Sequence, residues 1–230
     1  MGAVSREPPS EKQPLVLSVR RTVDATSMPE YKLIYFNLMG RAELTRWLFA
    51  YGGIPYTDER IEREEWPAKK KSLPFSKVPI LMVDGKPLPQ SLAIGRYVAK
   101  EVGLVPEDNL QAAYCDALAD TITEMMGAMR QIMMSDKDEE EKRRQFKEDF
   151  YPNVLEPIMT RLEKRLSEKQ WFLGDKLTWA DFIISLGFGH IKERKPEIFE
   201  KFPTVAGHVE KVRELPKIKE WIKKRPVNPY

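Results

Sequence analysis

A single change of pattern divides this 230-residue sequence. Between Tyr31 and residue 102, short β-prone runs alternate with one-sided helical spacing. From Gln111 to the C-terminus, apolar residues recur almost throughout at the helical period, and strand signals are few. A helical stripe and an alternating strand bury their apolar faces in different ways, so the two stretches predict different layers of structure. The first reads β-α-β-loop-β-β-α. Lys32–Asn37 is a strand, Ala42–Tyr51 a helix ending at Gly52-Gly53, and Thr57–Ile61 a second strand. Pro79–Val83 and Lys86–Leu88 flank Asp84-Gly85 as a tight hairpin, and Ser91 is expected to cap a helix reaching Lys100.

The second stretch carries a clear helix start. Thr178-x-x-Asp181 after Gly174 has the form of a capping box, followed by a buried stripe of Trp179, Phe182, Ile183 and Leu186. Pro216 and the basic helix Lys217–Lys224 close the chain. Residues 1–28 contain Pro8, Pro9 and Pro14 among Ser, Glu, Lys and Gln without periodicity, the composition of a disordered N-terminal extension. The expected organisation is therefore 1–28 as extension, 29–104 as an α/β domain and 110–230 as an all-helical domain.

The lone cysteine, Cys115, excludes an intrachain disulfide, a CxxC redox pair and a cysteine-rich zinc site. Two histidines, His190 and His208, do not suffice for a histidine-built metal site, so no metal is expected. Any thiol chemistry must use a thiol that arrives with a ligand. A reduced, cytoplasmic setting is the default for such a chain. Net charge is +3 and spread along the sequence, which argues against nucleic acid and suits a small acidic ligand. No apolar run is long enough to cross a bilayer, so no membrane partner is expected.

An ordered set of segments resembles one family. Tyr31-Lys-Leu-Ile-Tyr-Phe-Asn, Gly40-Arg-Ala-Glu, Glu65-Trp-Pro, Leu73-Pro-Phe-Ser-Lys-Val-Pro-Ile-Leu, Val83-Asp-Gly-Lys, Gln90-Ser, Lys176-Leu-Thr-Trp-Ala-Asp-Phe and Trp221-Ile-Lys-Lys-Arg-Pro are similar to sigma-class cytosolic glutathione transferases, over roughly residues 28–226. The resemblance implies a thioredoxin-like N-terminal domain packed on an all-α C-terminal domain, a homodimer, and glutathione as co-substrate. It also implies a cis Val78-Pro79 peptide whose preceding backbone pairs with an extended peptide ligand.

The site residues come from the same resemblance. Tyr35 matches the catalytic tyrosine that donates to the glutathione thiolate; read alone it would be a strand aromatic in the core. Arg41 matches an arginine that points at the tyrosine and the thiolate, where a cation stabilises both anions. Trp66, Lys70 and Lys77 correspond to the glycyl end of glutathione, Val78 and Pro79 to its cysteinyl unit. Gln90 and Ser91 match the γ-glutamyl carboxylate site at a helix N-terminus, where N–H groups favour an anion. Glu124 matches an acid contributed from the partner subunit, and Arg96 and Asp120 match charges that pair across a two-fold axis. Met125, Met129 and Met133 share a helix face, either as the wall of an apolar electrophile pocket or as helix core.

The implied activity is conjugation of glutathione to apolar electrophiles, with peroxide reduction open to the same thiolate. Prostaglandin D isomerisation and a non-enzymatic structural role, both found among sigma-type relatives, are the alternatives. Gln131 stands where the prostaglandin isomerases carry tryptophan, and Thr123 interrupts their aspartate cluster.

Overall fold

The computed structural model describes residues 28–226. The expected extension therefore lies outside the described residues apart from Met28. The α/β half contains β1 (Tyr31–Phe36), α1 (Glu43–Gly52), β2 (Thr57–Ile61), a short α2 (Trp66–Lys69), β3 (Ile80–Val83), β4 (Lys86–Pro89) and α3 (Ser91–Glu101). Its sheet has the order β2-β1-β3-β4, with β1 parallel to β2 and antiparallel to β3. Side chains alternate across β1 as the pleat requires. Tyr31, Leu33 and Tyr35 join the main core with Leu44, Trp47 and Leu48 of α1 and Ile94 of α3. Ile34 forms a smaller cluster with Ile61 and Ile80, with Trp66 and Leu73 packed against it.

The hairpin turns on Asp84 and Gly85, both at positive φ (47° and 76°), the backbone that a two-residue primed turn demands. A left-handed Gly53 closes α1. Two boundaries differ from expectation. A 3₁₀ turn, Gly40–Ala42, precedes α1, and Ser91 is not a cap. Gln90 takes the capping position at φ 76°, ψ 114°, without a side-chain cap bond, and Ser91 is already helical. Only one residue separates β4 from α3, so the chain reverses at Gln90 and leaves Ser91 inside the first turn. The stretch read as a loop after β2 holds α2 and two 3₁₀ turns, too short to leave a periodic pattern.

The helical half comprises α4 (Asn109–Met133), α5 (Glu139–Gln145), a π-helical segment (Phe146–Leu155), α6 (Glu156–Ser167), α7 (Trp179–Arg194), α8 (Pro203–Arg213) and α9 (Pro216–Lys224). Asp108 caps α4 by accepting from the Gln111 N–H at 2.9 Å. Pro152 lies inside the π segment; a proline offers no N–H to a normal helical turn, and the wider turns accommodate it.

Helix α7 is buried on nearly every side and begins with the expected capping box. The Asp181 carboxylate accepts from the Thr178 N–H (2.8 Å), the Thr178 hydroxyl (2.9 Å) and the Phe172 N–H (3.1 Å), and lies 2.9 Å from His208 Nε2. The Trp179 N–H donates to the Leu104 carbonyl at 3.1 Å, and Tyr51 of α1 meets Phe182 of α7 edge-on at 5.3 Å. These contacts merge the two halves into one core. Along the methionine stripe, Met125 is buried, Met129 packs partly buried on the core, and Met133 is 43% exposed. Among the described residues, no helix is long and apolar enough to cross a membrane.

Candidate functional site

Strand register gathers most of the expected residues at one end of the sheet. Ile34 sits opposite Ile80, so Tyr35 and Phe36 run on beside Pro79 and Val78. Ile80 in turn pairs with Pro89, which brings Gln90 and the start of α3 to the same end. On the other side Phe36 faces Ile61, and the Trp66 ring meets Phe36 edge-on at 5.1 Å. Exposed Lys70 and Lys77 flank this end and have no ion-pair partner among the described residues. The Val78-Pro79 peptide is cis, and no backbone hydrogen bond among the described residues engages Val78.

Tyr35 is 5% exposed, and its hydroxyl accepts the Arg41 backbone N–H at 3.1 Å. Gly40 makes this approach possible. Its φ is +41°, and a Cβ there would stand 2.6 Å from the Tyr35 hydroxyl and 2.6 Å from Leu38 Cδ1. Gly40→Ala is expected to cost roughly 1–3 kcal/mol of stability. Urea unfolding checks this, and an unchanged stability would show that the turn accommodates the added methyl.

Arg41 differs from the implied picture. Its backbone N–H, not its guanidinium, reaches Tyr35; the side chain is exposed and has no hydrogen-bond or ion-pair partner among the described residues. The 3₁₀ turn that carries Arg41 aims the peptide group inward and leaves the side chain outside.

Behind this turn lies a buried charged cluster that sequence reasoning missed. Glu43 and Arg46 are both buried on the inner face of α1. Arg46 Nη1 donates to the carbonyls of Leu38 (2.8 Å) and Met39 (3.4 Å) and to Glu43 Oε2 (3.4 Å), while its Nε donates to Asp58 at 3.2 Å. Glu43 Oε1 accepts from the indole N–H groups of Trp47 (3.1 Å) and Trp221 (2.9 Å) and from Arg225 (2.8 Å). Burial pushes the Glu43 carboxyl up, but hydrogen bonds from Trp221 and Arg225 and the charges of Arg225 and Arg46 together hold it below the usual carboxylate range. The visible signal is Glu43-x-x-Arg46-Trp47, two charges at i, i+3 on the face that the apolar stripe marks as buried.

Glu124 lies on the exposed side of α4, and nothing within one chain joins it to the other site residues. Arg96 has an own-chain partner, Asp116 at 2.8 Å, and Asp120 one turn further is exposed. Cys115 is buried and burial pushes its thiol up to about 11, so it holds its proton at neutral pH. A groove of about 430 Å³ lies on the opposite face of the sheet from Tyr35, lined by Lys32, Ile34, Glu59, Lys71, Leu73 and Met82 among others. With Glu59 paired to Lys32 and Lys69, it is distinct from the Tyr35 site.

The chain matches known proteins over most of its length. The family model described as glutathione S-transferase, N-terminal domain, matches residues 31–100, and that for the C-terminal domain matches residues 123–225. Hematopoietic prostaglandin D synthase of Gallus gallus is 42% identical over 199 residues, covering 86% of this chain and 98% of that protein. Probable glutathione S-transferase 6 of Caenorhabditis elegans is 35% identical over 212 residues, covering 88% of this chain and all of that protein. Among solved structures, a glutathione S-transferase of the hookworm Necator americanus, described as monomeric, superposes with a TM-score of 0.81 at 34% identity, over 87% of this chain and 100% of that one. Matched in both halves and along nearly the full length of such relatives, the chain belongs to the glutathione S-transferase family, enzymes that use glutathione as co-substrate.

Proposed function

We propose that this enzyme is a sigma-type glutathione transferase that ionises the glutathione thiol against Tyr35 and presents the thiolate to apolar electrophiles. The observation that carries the reading is the Tyr35 hydroxyl, seated on the Arg41 N–H at 3.1 Å beside Gly40, at the sheet end where Val78 offers an unpaired backbone. With its oxygen already accepting, the hydroxyl proton is free to point outward at a sulfur anion. A free thiol of pKa about 8.5 is only a few per cent thiolate at neutral pH. Oriented donors that prefer the anion raise that share, and holding the electrophile beside it in a water-poor site supplies further rate.

In this reading, residues 29–104 bind glutathione and residues 110–230 cover the electrophile. Trp66, Lys70 and Lys77 take the glycyl carboxylate, Val78 and Pro79 the cysteinyl backbone, and Gln90 and Ser91 the γ-glutamyl carboxylate at the N-terminus of α3. The same thiolate can reduce peroxides. A reduced cytoplasmic setting suits the single buried thiol.

Conjugation is tested by following the absorbance of the glutathione adduct of a chlorodinitrobenzene. Turnover lost in Tyr35→Phe supports the assignment, and binding without turnover points to a structural protein. A second reading, prostaglandin D isomerisation, is favoured by the name of the chicken relative. Against it stand Gln131 and Thr123, at positions where the resemblance expects tryptophan and aspartate. Incubation of the enzyme with a prostaglandin endoperoxide and glutathione separates the two readings by product.

The active form in this reading is a homodimer in which Glu124 of one protomer meets the γ-glutamyl ammonium bound by its partner. Phe75 supports an assembly: it is 76% exposed at φ 54°, a conformation that costs a bulky residue energy and gains nothing from solvent. Sedimentation at micromolar concentration is expected to give twice the chain mass, and Phe75→Ser to shift it toward the monomer. A monomer mass for the unaltered chain, as described for the hookworm relative, would refute the dimer.

A further inference from the structure

The C-terminal motif beginning at Trp221 lies outside the glutathione contacts proposed above, yet two of its side chains reach the back of the thiol-activating turn. Arg225 and Trp221 donate to Glu43 Oε1 at 2.8 and 2.9 Å, across 182 and 178 positions of sequence. Glu43 opens α1 directly after the turn that carries Gly40 and Arg41, and its N–H donates to the Gly40 carbonyl. Its other oxygen faces Arg46 Nη1, the same nitrogen that holds the Leu38 and Met39 carbonyls. An unbroken set of hydrogen bonds thus runs from the end of α9 to the loop that positions the Tyr35 hydroxyl.

We propose that Arg225 and Trp221 are positioning residues for the thiol-activating site: by holding the Glu43 carboxylate from behind, they leave Arg46 engaged with the Leu38 and Met39 carbonyls and keep the Arg41 N–H on the Tyr35 hydroxyl. The proposal rests on the reading of Tyr35 as the thiol-activating residue.

Competition for Arg46 explains how the link works. At 3.4 Å the Arg46 Nη1 contact to Glu43 is longer than its 2.8 Å bond to the Leu38 carbonyl, so the guanidinium serves the loop first. Glu43 is 2% exposed and cannot recruit bulk water. Without Arg225 and Trp221 it retains Trp47 and Arg46 as donors, and a buried anion draws the nearest cation closer. Arg46 then leaves the loop carbonyls, and the Gly40–Ala42 turn loses its anchor. Among the described residues, the other charged groups on this flank are Asp58 on Arg46, itself paired with Arg60 at 2.8 Å, and His190, Glu193 and Arg213 beside Trp47 and Arg225, with Arg213 and Glu193 paired at 2.7 Å.

The test titrates the thiolate absorbance of bound glutathione against pH in the full chain and in Trp221→Phe, Arg225→Gln, Arg225→Lys and Tyr35→Phe, with glutathione affinity and thermal unfolding measured alongside. The expected result is a midpoint raised by about one pH unit in Arg225→Gln, a smaller rise in Trp221→Phe, partial return in Arg225→Lys, and glutathione Kd within about threefold of the parent. Variants that melt earlier yet keep the parent midpoint would overturn the proposal, because they would show a purely structural tie. If Arg225→Gln does not fold, Trp221→Phe decides the matter, since it removes one neutral donor and leaves the ion pair. A parent midpoint equal to that of free glutathione would instead refute the Tyr35 reading; one that responds to Tyr35→Phe but not to Arg225 or Trp221 would refute this proposal alone.

Discussion

Replacing Tyr35 with phenylalanine is expected to lower kcat/KM for conjugation by roughly 10²- to 10³-fold, the loss typical of removing one oriented donor to a reacting anion. The ring is packed among buried neighbours and lies 5.8 Å from Phe36, so phenylalanine preserves the packing and the strand. Only the hydroxyl goes, and with it the acceptor of the Arg41 N–H. That N–H then turns toward the bound sulfur or toward water and offsets part of the loss. Glutathione affinity should change little, because in the proposed reading the carboxylates and the cysteinyl backbone are held by other groups. The split between kcat and Kd is the diagnostic: a fall in kcat matched by an equal rise in Kd would mean the substitution damaged the pocket as a whole. A kcat/KM within about threefold of the parent would move thiol activation to the Arg41 N–H alone.

Asp181→Ala should be the most damaging substitution for stability, with an expected cost of about 3–5 kcal/mol from the loss of a fully satisfied buried carboxylate. Its oxygens accept from two backbone N–H groups and a hydroxyl and face His208 Nε2, and Asp181 has no exposed surface. Alanine leaves the Phe172 and Thr178 N–H groups buried without acceptors and frays the first turn of α7, the helix on which both halves close. The same change removes the partner of His208, whose Nδ1 already has none among the described residues. Urea unfolding of Asp181→Ala and Asp181→Asn measures this. A cost below about 1 kcal/mol would mean that water enters and replaces the carboxylate.

The elements legible in the sequence were those with a local physical signature. Asp84-Gly85 announces its turn because few residue pairs tolerate two positive φ angles, and Thr178-x-x-Asp181 marks a helix start because the spacing closes two hydrogen bonds. The change of period near residue 103 separates the α/β half from the helical one for the same reason. What stayed hidden depends on residues far apart in sequence. The tie from Arg225 to Glu43 spans 182 positions, and no local pattern reports it. Gly40 carried the resemblance, but its contact with the Tyr35 hydroxyl needs coordinates. The Arg41 assignment relied on a guanidinium, whereas the backbone conformation of a 3₁₀ turn puts the peptide group in its place. Ser91 looked like a cap by residue type, but the single residue between β4 and α3 shifted that position to Gln90.

The most direct test of the account is the pH titration of glutathione bound to the unaltered enzyme, read from thiolate absorbance. With Tyr35 donating to the sulfur, the midpoint should fall about two units below that of free glutathione, equivalent to about 2.7 kcal/mol of preference for the anion. A midpoint unchanged on binding would contradict the account, since the site would then hold glutathione without activating its thiol.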